Sequence, residues 1–309
     1  ILIWLYTFKG GIKTIVWTDT FQTLFLISAV AICVYIIANR MGLSFSGMVA
    51  LIEQSNYSRI FYFDDVNSTL FFPKQFLGGA FIAITMTGMD QEIMQKNLTC
   101  KNIGEAQKNM FWFSLTLVVV NLLFLTLGAL LYLYSAQQGI AIPAASDDLF
   151  PQLALTEFGL VAGVFFLLGI IASSYASADS ALAGLTTSFC IDFLNFKNKN
   201  ENQKRKEKFI VHVSFSVLFL IIILVFKEIN ERSVIDAVLN VAGYTYGPLL
   251  GLFAFGLSNK RQVQGKLVPL VCVLSPLLSY LISANSKALL NGYNFGIEIL
   301  IVNGLITFC

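Results

Sequence analysis

The sequence predicts an all-α integral membrane protein with about eight transmembrane helices. Three observations carry that expectation. Of 309 residues, 56% are hydrophobic and only 12% are charged, against about 25% charged in an ordinary soluble domain. The apolar residues gather in runs near 20 long, the length at which a helix crosses the bilayer hydrocarbon. Most of the charge falls in the segments between those runs. A net charge of +2, scattered over loops, gives no footprint for nucleic acid. Five cysteines in no ligand spacing support neither a disulfide framework nor a zinc site.

The spans are expected at about 15–38, 73–94, 110–134, 159–193, 209–226, 234–257, 266–282 and 296–308 in a single domain, 1–309. The first follows Gly10-Gly11, read as a helix break. A polar and aromatic loop, 41–72, leads to the second span, which is short and interrupted by Gly78-Gly79 and Gly88. The third is apolar throughout, and Pro143, Asp147-Asp148 and Pro151 mark the loop after it. The fourth is the longest, and the basic run KNKNENQKRKEK closes it. Four shorter runs complete the set, the last of them incomplete. Residue 1 and residue 309 both lie inside apolar runs, with neither an initiating Met nor a signal peptide. A piece of a longer protein is therefore expected.

Orientation follows from the basic residues. With the N-terminal edge cytoplasmic and spans alternating, 14 of the 20 Lys and Arg fall inside and 6 outside, as the positive-inside rule prefers. The basic run is then a cytoplasmic loop, and His212, just after it, an interfacial residue.

Polar groups inside the apolar runs are the candidates for function. Gly169, Ser173, Ser177, Ser180, Gly184 and Thr187 fall within roughly 80° of one another on a helix wheel. Such a stripe serves helix packing, because small residues let backbones approach. Packing does not require a carboxylate, and Asp179 beside the stripe costs several kcal/mol without a cation, proton or donor. Asp19 opens the first span in TIVWTDTFQTLF. It reads either as a carboxylate favoured by the helix N-terminus or, by depth, as a neighbour of Asp179 and Ser180. Hard oxygen ligands suit an unpolarisable cation such as sodium, with a proton as the competitor. Asp90 ends the second span and suits the interface. Asp236 and Asn240 share a face of the sixth span. The following GYTYGP reads equally as interrupted backbone at a binding site or as a Pro-kinked packing helix.

Three passages, YTFKGGIKTIVWTDTFQ, TGMDQEIMQKNLTCKN and SSYASADSALAGLTTSFCIDF, together resemble the sodium:solute symporter family. DDLFPQL and GYTYGPLLGLF fit the same pattern. The resemblance implies a LeuT-like core of two inverted five-helix repeats. This chain would hold core helices five to ten and two peripheral helices, without the first four. It also implies a sodium site with helix-eight positions Ser173, Ala176 and Ser177, where Ala176 departs from an expected hydroxyl. A second cation site would use Asp19, Asp179 and Ser180. Thr87 and Asn240 fall at substrate-facing positions, and Met86 and Thr87 replace the aromatic pair of sugar-transporting members.

By that resemblance the whole protein is a bacterial inner-membrane symporter. It would import a small organic solute with Na+ as coupling ion, without an organic cofactor and without covalent chemistry. Its partners would be the solute, Na+, the bilayer and the missing N-terminal helices. Two alternatives stand beside this reading: an intramembrane aspartyl hydrolase using Asp19 and Asp179, and a non-transporting sensor with a transporter-like body.

Overall fold

The computed structural model describes the backbone of residues 2–90, 93–94, 97–196, 199–229, 234–260 and 264–309. Side chains are described from Thr20 onward, except at Ala176, Asp179 and Ile229. Among the described residues the regular structure is helical, with no strand. The helices are α1 (Leu2–Arg40), α2 (Phe45–Glu53), α3 (Phe72–Gly88), α4 (Ile103–Gln138), α5 (Leu149–Thr156), α6 (Gly159–Asp192), α7 (Glu201–Ile229), α8 (Val234–Ser258), α9 (Val268–Ala284), α10 (Ser286–Leu289) and α11 (Ile299–Phe308). Five have the length and composition to cross a membrane: α4, α6, α8 and the stretches Thr20–Arg40 of α1 and Glu201–Glu228 of α7. α9 and α11 are shorter apolar helices.

Helices overrun several of the expected crossings. α1 continues through Gly10-Gly11, because a glycine in a helix interior costs only about 1 kcal/mol and its neighbours favour helix. α4 begins at Ile103, where Asn102 accepts the Glu105 N–H at 2.9 Å. Glu105 in turn reaches back to the Lys101 N–H at 3.2 Å. This reciprocal cap starts the helix two turns before the apolar run. Gly139, in left-handed conformation with φ of 66°, ends it. The second half of the basic run is likewise helical. Asn200 accepts the Gln203 N–H at 2.9 Å, so residues 201–208 form the first turns of α7. His212 lies at the start of its fourth turn, half-buried, with Nδ1 3.2 Å from the buried Thr186 hydroxyl of α6.

The chain divides into two compact units. The first comprises Ile1–Ser58 and Cys100–Glu231. Its core is apolar: Val30, Cys33 and Ile37 of α1 pack with Leu127 and Leu130 of α4, Leu153 of α5, Phe158 just before α6 and Phe166 within it. Arg40 ties the end of α1 in place, donating to the Tyr134 hydroxyl at 2.9 Å and the Glu157 carbonyl at 2.5 Å.

The second unit comprises Arg59–Thr99 and Arg232–Cys309. Here α8 and α11 run parallel, with Gly243 beside Ile299, Gly247 beside Asn303 and Gly251 beside Thr307. The loop before α11 is held to α3. The buried Lys74 ammonium donates to the Asn294 carbonyl at 3.2 Å and sits 3.4 Å from the centre of the Tyr293 ring. Tyr293 donates to Glu298 at 3.1 Å. Burial, and then the Glu298 carboxylate, push the Tyr293 hydroxyl up to about 12.

Candidate functional site

In the first unit, α1 and α6 cross as an antiparallel pair. The contact closes at Gly169, where a Cβ would stand 3.2 Å from Leu26 Cα. The neighbouring Phe25 and Phe165 rings lie 6.3 Å apart. From that contact toward the N-terminus of α1, the small-residue stripe of α6 takes over from the apolar core. Ser173 is half-buried, Ser177 exposed and Ser180 buried. At Gly184 a Cβ would meet nothing within 4 Å. The stripe is thus only partly used for packing within this chain. Further along, Thr187 and Ser188 spend their hydroxyls on the carbonyls one turn back, at 2.7 and 3.0 Å.

By helical register Gln22 falls level with this stripe. It lies one turn before Leu26, on the same face of α1, and antiparallel register brings it level with Ser173. Its carboxamide oxygen is buried without a hydrogen-bond partner among the described residues, and the residue is 9% exposed. An unpaired buried amide oxygen costs about 1–3 kcal/mol. A cation is one group that removes that cost. The sequence reading named Asp19 and passed over Gln22, although the spacing Asp19-x-x-Gln22 puts both on one helix face.

The same register continues α1 so that position 19 comes level with about position 176. The side chains of Asp19, Ala176 and Asp179 lie outside the described residues, so the ligand roles expected of them rest on sequence. Among the described residues no cluster of three His, Cys, Asp or Glu side chains has the makings of a metal site. Hydroxyl and amide oxygens are what α1 and α6 bring together, and they suit a weakly bound monovalent cation better than a transition metal.

In the second unit, Thr87 is half-buried at the last turn of α3, and Asn240 is exposed. Asn240 lies about one turn before the first α8–α11 contact. The ambiguity of GYTYGP resolves toward packing. Pro248 brings no N–H, so the carbonyl four residues back, on Tyr244, loses its helical donor. Asn303 of α11 replaces it, donating to Tyr244 O at 2.7 Å and to Gly243 O at 3.2 Å. Ser275 of α9 donates to the Asn303 side-chain oxygen and lies 2.5 Å from the Thr307 hydroxyl, which itself donates to the Asn303 carbonyl at 3.0 Å. Asn303 and Gly247 are fully meshed, since a Cβ on Gly247 would come within 2.1 Å of Asn303 Cγ. The signal in the sequence was Gly243-x3-Gly247-x3-Gly251, a small-residue repeat that lets two helices touch.

Long apolar helices, a lock of small residues between parallel helices, and polar groups inside apolar runs define a multi-pass helical membrane protein. Comparison with known proteins makes this specific. The sodium:solute symporter family matches residues 1–271, and the chain belongs to that family.

Among its relatives is the sodium/sialic acid symporter NanT of Aliivibrio fischeri, 24% identical over 272 residues, covering 84% of this chain and 53% of the relative. The sodium/sialic acid symporter SiaT of Proteus mirabilis is 22% identical over 289 residues, covering 88% and 57%. The human sodium-coupled monocarboxylate transporter 2 is 25% identical over 265 residues, covering 82% and 42%. The chain spans about half the length of these relatives. They are transporters by name, and the hydrolase alternative is set aside.

Proposed function

We propose that the whole protein containing this chain is a sodium-coupled symporter of the plasma membrane that imports a small organic solute by alternating access. Family membership supports the class, and the buried Gln22 oxygen, without a partner among the described residues and level with the serine stripe, is the observation that carries the ion. In this reading Gln22, Ser173 and Ser177 supply oxygens to one sodium ion, with Ala176 contributing no hydroxyl. Asp19, Asp179 and Ser180 form a second cation position. The surrounding helices follow the LeuT-like arrangement, the remainder coming from segments of the protein beyond this chain.

The physical logic is linkage. Sodium binds better to one of two states, and the solute binds better to that same state, so each raises the affinity for the other. Inward movement of one charge releases about 2.3 kcal/mol per 100 mV of membrane potential, and the sodium gradient adds to it. The residues of this chain bind and release; no bond is made or broken.

Thr87 and Asn240 are proposed to face the solute. The named substrates of three relatives, sialic acid twice and monocarboxylates once, share a carboxylate. Met86 and Thr87, neither of them aromatic, give a hexose no ring to stack on. Both points favour an organic acid over a neutral sugar. The sensor alternative predicts no flux, so one experiment separates all three. In vesicles holding the full-length protein, a panel of labelled carboxylates, amino acids and sugars is offered with inward sodium. Sodium-dependent uptake of a carboxylate is expected. Uptake of a sugar or amino acid instead would overturn the solute class, and no sodium-dependent flux of any solute would overturn the function.

A further inference from the structure

The first unit carries a second site unrelated to the ion stripe. Where the end of α6 meets the start of α7, an open apolar groove encloses about 520 Å³. Its apolar lining includes Phe189, Leu194, Val211, Phe215 and Leu218, and Ser214 and Glu207 are its polar members. The Phe189 and Phe215 rings meet edge to face at 5.8 Å. The mouth lies where α7 changes from charged to apolar, at Lys208-Phe209, which is the level of a membrane–water boundary. Below it α7 is a bare apolar surface, with only 6% of its span buried.

The mouth is basic. Residues 199–208 carry Lys199, Lys204, Arg205, Lys206 and Lys208 against Glu201 and Glu207. Lys199 neutralises Glu207 at 2.6 Å, and Lys204 makes an exposed pair with Glu201 at 2.9 Å, which an incoming phosphate would have to displace. Lys204 stands one turn before Glu207 on the same helix face, and Lys208 lies within electrostatic reach of Cys190 on α6. By the distribution of basic residues this is the cytoplasmic side, where basic pockets between membrane helices meet anionic headgroups.

We propose that the groove holds an acyl chain of an anionic phospholipid whose phosphate is met by Lys204 and Lys208. Charge selects the headgroup and the phenylalanine walls hold the chain. Zwitterionic phosphatidylcholine fits the walls equally well, but the ammonium of its choline is repelled by the basic mouth and offsets the attraction of its phosphate.

The test uses the full-length protein, released from detergent for native mass spectrometry with palmitoyl-oleoyl phosphatidylglycerol or phosphatidylcholine. Each basic residue near the surface contributes about fivefold in affinity. Retention of phosphatidylglycerol should therefore exceed that of phosphatidylcholine at least fivefold. Lys204→Gln with Lys208→Gln should bring the ratio close to one, and these surface changes leave the packing untouched. Ser214→Trp, which puts an indole into the groove, should remove one retained lipid. Equal retention of the two lipids, or a preference that survives the double lysine change, would overturn the proposal. So would a lipid count unaffected by Ser214→Trp, the result expected if another segment of the protein covers the groove.

Discussion

The α8–α11 pair of the second unit and the α1–α6 pair of the first are both drawn together at glycines, yet their polar atoms have opposite fates. Between α8 and α11, Asn303, Ser275 and Thr307 are bonded to one another and to the carbonyls of Gly243 and Tyr244. Between α1 and α6, the Gln22 oxygen is buried and unpartnered among the described residues, level with a stripe that ends in open space at Gly184. Polar atoms that satisfy one another build structure, because an unmet buried group costs more than a made bond returns. Polar atoms left unmet at a close helix contact mark a place for something that comes and goes. Ser279 is the exception in the second unit, a buried hydroxyl without a partner one turn from Ser275.

The comparison can be broken most severely at Gly247. Gly247→Val should drive its side chain into Asn303 and abolish monodisperse full-length protein on size exclusion, as overpacking costs several kcal/mol where backbone cannot move. A normal elution profile would show that the lock is dispensable. Asn303→Leu should come next. It strands the half-buried Tyr244 carbonyl, which Pro248 leaves without a helical donor, at about 1–3 kcal/mol, lowering the melting temperature by a few degrees while leaving the sodium dependence of uptake in place. A parallel loss of sodium affinity would mean that the two pairs are not separate in function.

Smaller effects sharpen the first unit. Asp179→Asn should raise the sodium concentration for half-maximal uptake by about tenfold, equivalent to about 1.4 kcal/mol. Ala176→Ser should lower it a fewfold by restoring a hydroxyl. If neither moves it, those positions leave the site. Ser279→Ala should hold or raise the melting temperature, since it removes a buried hydroxyl that has no partner among the described residues. A marked destabilisation would show that Ser279 has an unrecognised partner.

What could be read from the sequence divides along the range of the forces involved. Composition and run length are local sums, and they gave the helical membrane class and the position of each apolar run. The serine stripe was equally legible, because helical periodicity alone puts Ser173, Ser177 and Ser180 on one face. The two ends of α4 and α7 were not. Caps at Asn102 and Asn200 extend helices into polar sequence, and hydropathy does not register a cap.

Asn303 was invisible for a different reason. Its importance comes from a carbonyl orphaned by Pro248, 55 residues earlier, and only the fold brings donor and acceptor together. Gln22 needed both kinds of information. Its spacing from Asp19 is plain in the sequence, whereas the lack of a partner among the described residues is a property of the packed pair.

The most direct test is the melting temperature of the full-length protein in sodium against choline, measured for the unsubstituted protein and for Gln22→Leu. A ligand at 100 times its Kd stabilises by about 2.7 kcal/mol, so sodium should raise the melting temperature of the unsubstituted protein by several degrees. Gln22→Leu should melt in choline at the same temperature or above, its orphaned oxygen gone, and should lose most of the rise in sodium. A full sodium-induced rise in Gln22→Leu, or none in the unsubstituted protein, would contradict the account.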